Sequence, residues 1–306
     1  MGAVAALSRG AGVTPLRFSL STACLAPLAL PCVAEQAAAT GFDGLELVVG
    51  VGQLLRWSRR VAQTASKLPL PVLTVHQPLY QVGRWARPAV LMRDTLELAL
   101  SVQAEAVVLH SPWALSWQDA AARDWLKALE QIAAQVAGSG VRLTVENLGE
   151  HPGLPGRTVL GRLDDLAAFC RGSGLSLTYD TCHAGTLNAD LAGELVSVRD
   201  LLANVHLSDY RAGSHFRHTP LIDLMFANHQ MPGEGGLNLH AALAALVQIG
   251  YAGPVTFEVS PYVLRSWRPA RRRQRLAEAL QYARDAVSEI RSQQQPEPMS
   301  TIISAE

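Results

Sequence analysis

The chain has 306 residues, 49% of them hydrophobic and 17% charged, and its 26 Lys and Arg are balanced by 26 Asp and Glu. A neutral balance gives no global steering toward nucleic acid or an anionic membrane, and no apolar run is long enough for a membrane span. Four cysteines without a CxxC pair are too sparse for a disulfide framework, which points to free thiols in a reducing cytoplasm.

From the N-terminus, residues 1–14 are expected to form a flexible tail. One domain is expected over 15–292. Residues 293–306, with Gln293 to Gln295 and a Pro296-Glu297-Pro298 step, are expected to be a disordered tail. The first strand falls at Leu16–Leu20. The run Leu20 to Ala34 imitates a secretion signal, with Arg17 ahead of it, but Pro27 and Pro31 interrupt it. A helix over Val33–Thr40 stops at Gly41, a common C-terminal signal.

Apolar strand-like runs then alternate with helical spacing. The further strands are Gly44–Val49, Pro71–His76, Ala106–His110, Val141–Glu146, Leu175–Asp180, Ala203–His206 and Pro254–Glu258. The further helices are Gln53–Ser66, Val90–Val102, Gln118–Val136, Leu163–Arg171, Leu239–Ile249 and Arg271–Ser292. The His- and Gly-rich stretch Ser208 to Asn238 has no clear period, as functional loops often do not. Eight strands alternating with helices predict an α/β fold: a (β/α)8 TIM barrel with a closed parallel sheet. No GxGxxG follows the first strand to favour an open dinucleotide-binding sheet.

The strand ends carry the chemistry. In order they read Glu46, His76, His110, Glu146, Asp180, His206 and Glu258. Charged side chains are almost never fully buried unless paired or bound to metal. One such residue has a bland explanation, as a hydrogen-bonded core histidine or a paired surface acid. Clustered at one barrel mouth, where active sites of this architecture lie, these groups would repel and raise their own pKa values. A divalent cation shared by Glu146, Asp180, His206 and Glu258 removes the conflict. A mixed Asp/Glu/His set suits Mn, Mg, Co or Zn. Glu146 and Glu258, from opposite strands, could act both as ligands and as proton-transfer groups beside a polarised carbonyl. His183, Asp209, His215, His218 and His229 are further candidates in the loops, each with an equally ordinary reading as a solvated side chain.

Several motifs accompany these ends: Gly41-Phe42-Asp43-Gly44-Leu45-Glu46, Val75-His76-Gln77-Pro78, Val145-Glu146-Asn147, Tyr179-Asp180-Thr181-Cys182-His183, Val205-His206-Leu207-Ser208-Asp209, Pro232-Gly233-Glu234-Gly235 and Phe257-Glu258. In order and spacing they resemble the xylose isomerase-like barrel superfamily, which includes sugar epimerases, inosose dehydratases and endonuclease IV. The resemblance to single-metal sugar epimerases implies that Glu146, Asp180, His206 and Glu258 hold Mn or a similar ion. It also implies that the two glutamates act on opposite faces of the sugar carbon, that His183 and Arg211 hold substrate oxygens, and that Glu46 and His76 line the pocket. The resemblance to endonuclease IV implies three zincs instead. His76, His110 and Glu146 would take the first, Glu146, Asp180, His206 and Glu258 the second, and His183 and His229 the third. That third zinc also needs an Asp two residues before His229, where this chain has Ala227; Asp223 lies further upstream.

A nuclease also needs Lys and Arg against the phosphates. Arg265, Arg268, Arg271, Arg272, Arg273 and Arg275 open the last helix and read most simply as a solvated face. Arg84 and Arg87, with Trp85 between them to insert, stack or cap a sugar pocket, are the second candidate contact. The expected function is a divalent-metal-dependent isomerase or epimerase of a small sugar or polyol. The alternatives are a zinc nuclease like endonuclease IV and a lyase like the inosose dehydratases. No membrane partner is expected, and a homo-oligomer only by analogy with other barrel enzymes.

Overall fold

The computed structural model describes residues 15–50, 59–150, 158–211 and 228–294. Eight parallel strands close a barrel in sequence order. They are β1 (Arg17–Ser21), β2 (Gly44–Val48), β3 (Val72–His76), β4 (Ala106–His110), β5 (Arg142–Glu146), β6 (Ser176–Asp180), β7 (Leu202–Leu207) and β8 (Pro254–Phe257). The described helices are α1 (Leu30–Thr40), α2 (Arg59–Ala65), α3 (Pro88–Val102), α4 (Ala120–Val136), α5 (Leu163–Ser173), α6 (Thr181–Thr186), α7 (Leu191–Ser197), α8 (Leu239–Gln248) and α9 (Pro269–Gln294).

The strands are short and apolar because helices cover their outer faces. In β2, β3, β7 and β8 every residue is buried. Alternate positions such as Leu45, Leu47, Val75, Leu109, Val145, Leu177, Val205 and Phe257 enter one continuous core. Burying each such side chain contributes about 1.5–3 kcal/mol. Many of the other alternate positions carry polar side chains that meet across the barrel interior. Thr144 Oγ1 lies 2.6 Å from Thr178 Oγ1, and Thr256 Oγ1 donates to Asn204 Oδ1 at 3.0 Å.

Register puts the chemical residues level with one another. His110 pairs with Glu146, and Asp180 pairs with His206. All lie at the C-terminal ends of their strands, so one end of the barrel collects them.

The run Leu20 to Ala34 belongs to the barrel. It finishes β1, forms a 3-10 turn over Thr22–Leu25 and opens α1. Gly41 then ends α1 in the left-handed region at φ 100°, which glycine adopts without strain. Two helices depart from the expected pattern: α6 and α7 fill the space after β6, where no helix is read from the sequence. α6 starts because Asp180 caps it, its Oδ1 accepting the His183 N–H at 2.8 Å. At the far end α9 runs through Gln293 to Gln294, into the stretch expected to be a tail, since glutamine is a good helix former. The expected tail over 1–14, the rest of the tail from Gln295, the start of the Gln53–Ser66 helix, and His215, His218, Asp223 and Ala227 lie outside the described residues. No described helix is long and apolar enough to cross a membrane.

Candidate metal centre at the barrel mouth

Glu146, at the end of β5, is the hub. Its Oε2 lies 3.3 Å from His76 Nε2 and 3.3 Å from His110 Nε2. Its Oε1 lies 3.2 Å from His206 Nδ1 and 3.3 Å from His183 Nδ1. One carboxylate thus faces four imidazoles from β3, β4, β7 and α6. His206 Nδ1 also lies 2.9 Å from Glu258 Oε2 and 3.5 Å from Asp180 Oδ2.

Three overlapping groups form among the described residues: Glu146, Asp180, His206 and Glu258; His76, His110 and Glu146; and Asp180, His183 and His229. In each group, one ligand atom from every residue lies within 4.8 Å of the others. Glu146 and Asp180 each belong to two groups. The sequence-expected ligands therefore converge.

The charges balance one another. Burial alone would raise the Glu146 carboxyl, but the charge of His206 and hydrogen bonds from His110, His183 and His206 hold it well below the usual carboxylate range. Burial likewise opposes ionisation of Glu258, and the charge and hydrogen bond of His206 together with the charge of His229 overcome it and lower that carboxyl. Burial pushes the imidazoles toward neutrality. For His183 the carboxylates of Asp180 and Glu146 reverse this, raising it to about 10. His76 rises to about 8 through its contact with Glu146. His206, facing Glu46, Glu258 and Glu146, is raised well above the usual range. In His110 burial wins and the pKa falls.

The residues that support the cluster lie within the motifs and loop candidates read from the sequence, but their partners do not show there. Asn147 clasps the end of β6: its Oδ1 accepts the Asp180 N–H at 2.7 Å and its Nδ2 donates to Asp180 O at 3.1 Å. Its backbone carbonyl lies 2.9 Å from His183 Nδ1. His229 sits at φ 50°, unusual for a non-glycine residue. Its N–H donates to Cys182 Sγ at 3.2 Å, and its Nδ1 lies 3.1 Å from Ser208 Oγ and 3.1 Å from Glu258 O. Cys182 is buried, and burial first and then Asp180 raise its thiol pKa well above the usual range, which suits a packing role over a nucleophilic one.

Other candidates stand apart from the cluster. Asp209 organises the loop beside it, its oxygens accepting the N–H groups of Tyr210, Gly233, Gly235 and Leu237 at 2.8–3.1 Å. A Cβ on Gly235 would collide with the Asp209 carboxylate and the Tyr210 carbonyl, so the turn requires glycine there. Asp209→Ala leaves four part-buried N–H donors without their acceptor and is expected to lose roughly 1–2 kcal/mol of stability, read as a lowered denaturation midpoint at unchanged m-value. An unchanged midpoint would remove the loop-organising role.

Arg211 Nη2 donates to the Glu234 carbonyl at 2.6 Å. Glu46 is completely buried, with Oε2 bonded to Thr74, Asn204 and His206, rather than at an open wall. Trp85 is 1% exposed and donates to Asp94 Oδ2 at 3.0 Å, so it neither stacks on nor inserts into anything outside the fold. Arg84 pairs with the same Asp94 at 2.6 Å. In the arginine-rich start of α9, Arg272 is buried against Gln36 and Ser266, and Arg275 pairs with Glu234.

Comparison with known proteins agrees with this architecture. A protein of Mycobacterium leprae (strain TN), itself uncharacterized, is 28% identical over 293 residues, covering 88% of this chain and 97% of that protein. The crystal structure of a D-tagatose 3-epimerase-like protein superposes with a TM-score of 0.65 at 21% identity, over 90% of this chain and 99% of the other. That of a 3-keto-D-glucoside 4-epimerase from E. coli gives 0.64 at 19% identity, over 89% and 100%. At these identities the structures show a shared fold. The family model described as xylose isomerase-like TIM barrel matches residues 34–286, and the chain belongs to that family.

Proposed function

We propose that the protein is a divalent-metal-dependent isomerase or epimerase of a sugar or polyol. The observation that carries this reading is the convergence of Glu146, Asp180, His206 and Glu258 at the C-terminal mouth of the barrel. Three carboxylates and one imidazole suit Mn, Mg, Co or Zn. The fit is supported by Asp180 Oδ2, a buried carboxylate oxygen with no hydrogen-bond partner. Sugar epimerases among the structural neighbours add support by analogy.

When bound, the cation supplies Lewis-acid polarisation of a substrate carbonyl. The chain supplies the rest. Glu258 is the most accessible of the four side chains, 12% exposed against 1% or less for the others, and its lowered pKa keeps it ionised at neutral pH. In this reading it takes the proton from the carbon beside the carbonyl, which its greater exposure supports. Glu146 delivers or accepts the proton on the opposite face. His183, charged at neutral pH, holds a substrate oxygen. A dehydratase would begin with the same abstraction and differ in losing a hydroxyl afterwards.

Incubating the metal-loaded protein with ketoses and inososes in D2O is expected to give deuterium at the carbon next to the carbonyl, with about one ion per chain. A protein that binds no divalent cation overturns the reading. A second reading is favoured by one feature: Glu146 and Asp180 each bridge two candidate groups, as in a multinuclear zinc site for phosphodiester cleavage. Two or three zincs per chain, with cleavage of an abasic-site duplex, would replace the first reading with this one.

A further inference from the structure

Glu46 lies midway along β2, level with Thr74 of β3 and below the strand end that the sequence suggests, and it is fully buried, so it contacts no face open to a substrate. One of its oxygens does all the visible work. Oε2 accepts from Thr74 Oγ1 at 2.9 Å and from Asn204 Nδ2 at 3.1 Å, and it lies 3.0 Å from His206 Nε2. Asn204 is oriented in turn: its Oδ1 accepts from Thr256 Oγ1 at 3.0 Å, which fixes its amide nitrogen toward Glu46. Thr256 Oγ1 lies 3.2 Å from Ser19 Oγ. The chain of contacts runs from β1 through β8 and β7 to β2, inside the barrel and beneath the metal group.

An oxygen that already takes donors from Thr74 and Asn204 is an acceptor. A bare Nε2 lone pair aimed at it would be repelled, so Nε2 carries a proton. The other ring nitrogen, Nδ1, faces Glu146, Glu258 and Asp180. We infer that Glu46 is a positioning residue: it holds the His206 ring through Nε2–H and presents Nδ1, as a bare lone pair, to the cation. Carboxylates placed behind ligating histidines fix tautomer and ring angle in this way. The inference rests on the reading that Glu146, Asp180, His206 and Glu258 hold a cation, and it concerns binding rather than turnover.

Zn2+ affinity, by competition with a chromogenic chelator, and imidazole 15N spectra of the Zn2+-loaded protein test it together. Wild-type protein is expected to show His206 protonated at Nε2. Glu46→Gln is expected to weaken Zn2+ binding roughly 10- to 100-fold, because a neutral amide oxygen, held in place by the same two donors, accepts the Nε2–H more weakly than a carboxylate and no longer raises the basicity of Nδ1. Zn2+ affinity of the variant within about twofold of wild type, or a wild-type spectrum with the proton on Nδ1, overturns the positioning role while leaving the metal reading intact. Wild-type protein that takes up no Zn2+ overturns both. If Glu46→Gln does not fold, Thr74→Val carries the test: it removes one donor that aims the carboxylate and is expected to weaken Zn2+ binding severalfold. An unchanged affinity in Thr74→Val then overturns the inference.

Discussion

Glu258→Gln is expected to keep its fold and lose roughly three orders of magnitude or more in turnover at saturating metal. The side chain leaves the end of β8 toward the mouth and is the least buried of the four converging groups. Glutamine keeps its shape but can neither accept the proton nor offer charge to a cation. The same change at Glu146 has a different signature. Both Glu146 oxygens face imidazoles, and the raised pKa values of His76, His183 and His206 depend on that charge. Glu146→Gln leaves those imidazoles without their central anion, so it is expected to abolish activity and also to cost roughly 3–5 kcal/mol, the usual penalty for breaking a buried pair. Steady-state rates with metal analysis, set beside denaturant midpoints, separate the two. A Glu258→Gln enzyme that holds its ion and turns over within tenfold of wild type would contradict the assignment of the base.

The strand ends are legible in the sequence because burial on both sides leaves little choice of residue. Where helices cover one face and the lumen the other, apolar runs break only for chemistry, so Glu146, Asp180 and His206 stand out. A second signal lies in the same runs. Thr74, Thr144, Thr178, Asn204 and Thr256 each precede a site residue by two positions. The period of a strand places both on the inner face, and the contacts of Asn204 with Glu46 and of Thr144 with Thr178 lie there.

What could not be read was long-range partnership. Asp209 serves backbone groups 24 to 28 residues away, and that hairpin-like closure has no local pattern. In the sequence Trp85 stands available between two arginines, and only the fold shows Asp94, nearly two turns into α3, taking both its indole and Arg84. The helices α6 and α7 leave no pattern in the sequence because they are too short to establish a hydrophobic period, and because Asp180 serves as cap and candidate ligand at once.

Removing divalent cations with a chelator is expected to lower the melting temperature, and adding Mn2+, Co2+ or Zn2+ back to restore it. At a thousandfold excess of ion over its dissociation constant the linkage is about 4 kcal/mol, a shift on the order of 10 °C for a barrel of this size. The proton balance adds a sign. His206 has its pKa raised in the cation-free protein, so at neutral pH it is charged, and its Nδ1 proton must leave before that nitrogen can bind. Binding therefore releases a proton, and apparent affinity rises with pH until His206 is neutral without the metal. Calorimetric titration in two buffers of different ionisation enthalpy measures that release directly. Metal that binds with the same observed enthalpy in both buffers, or that leaves the melting temperature where it was, sits somewhere other than on Nδ1 of His206.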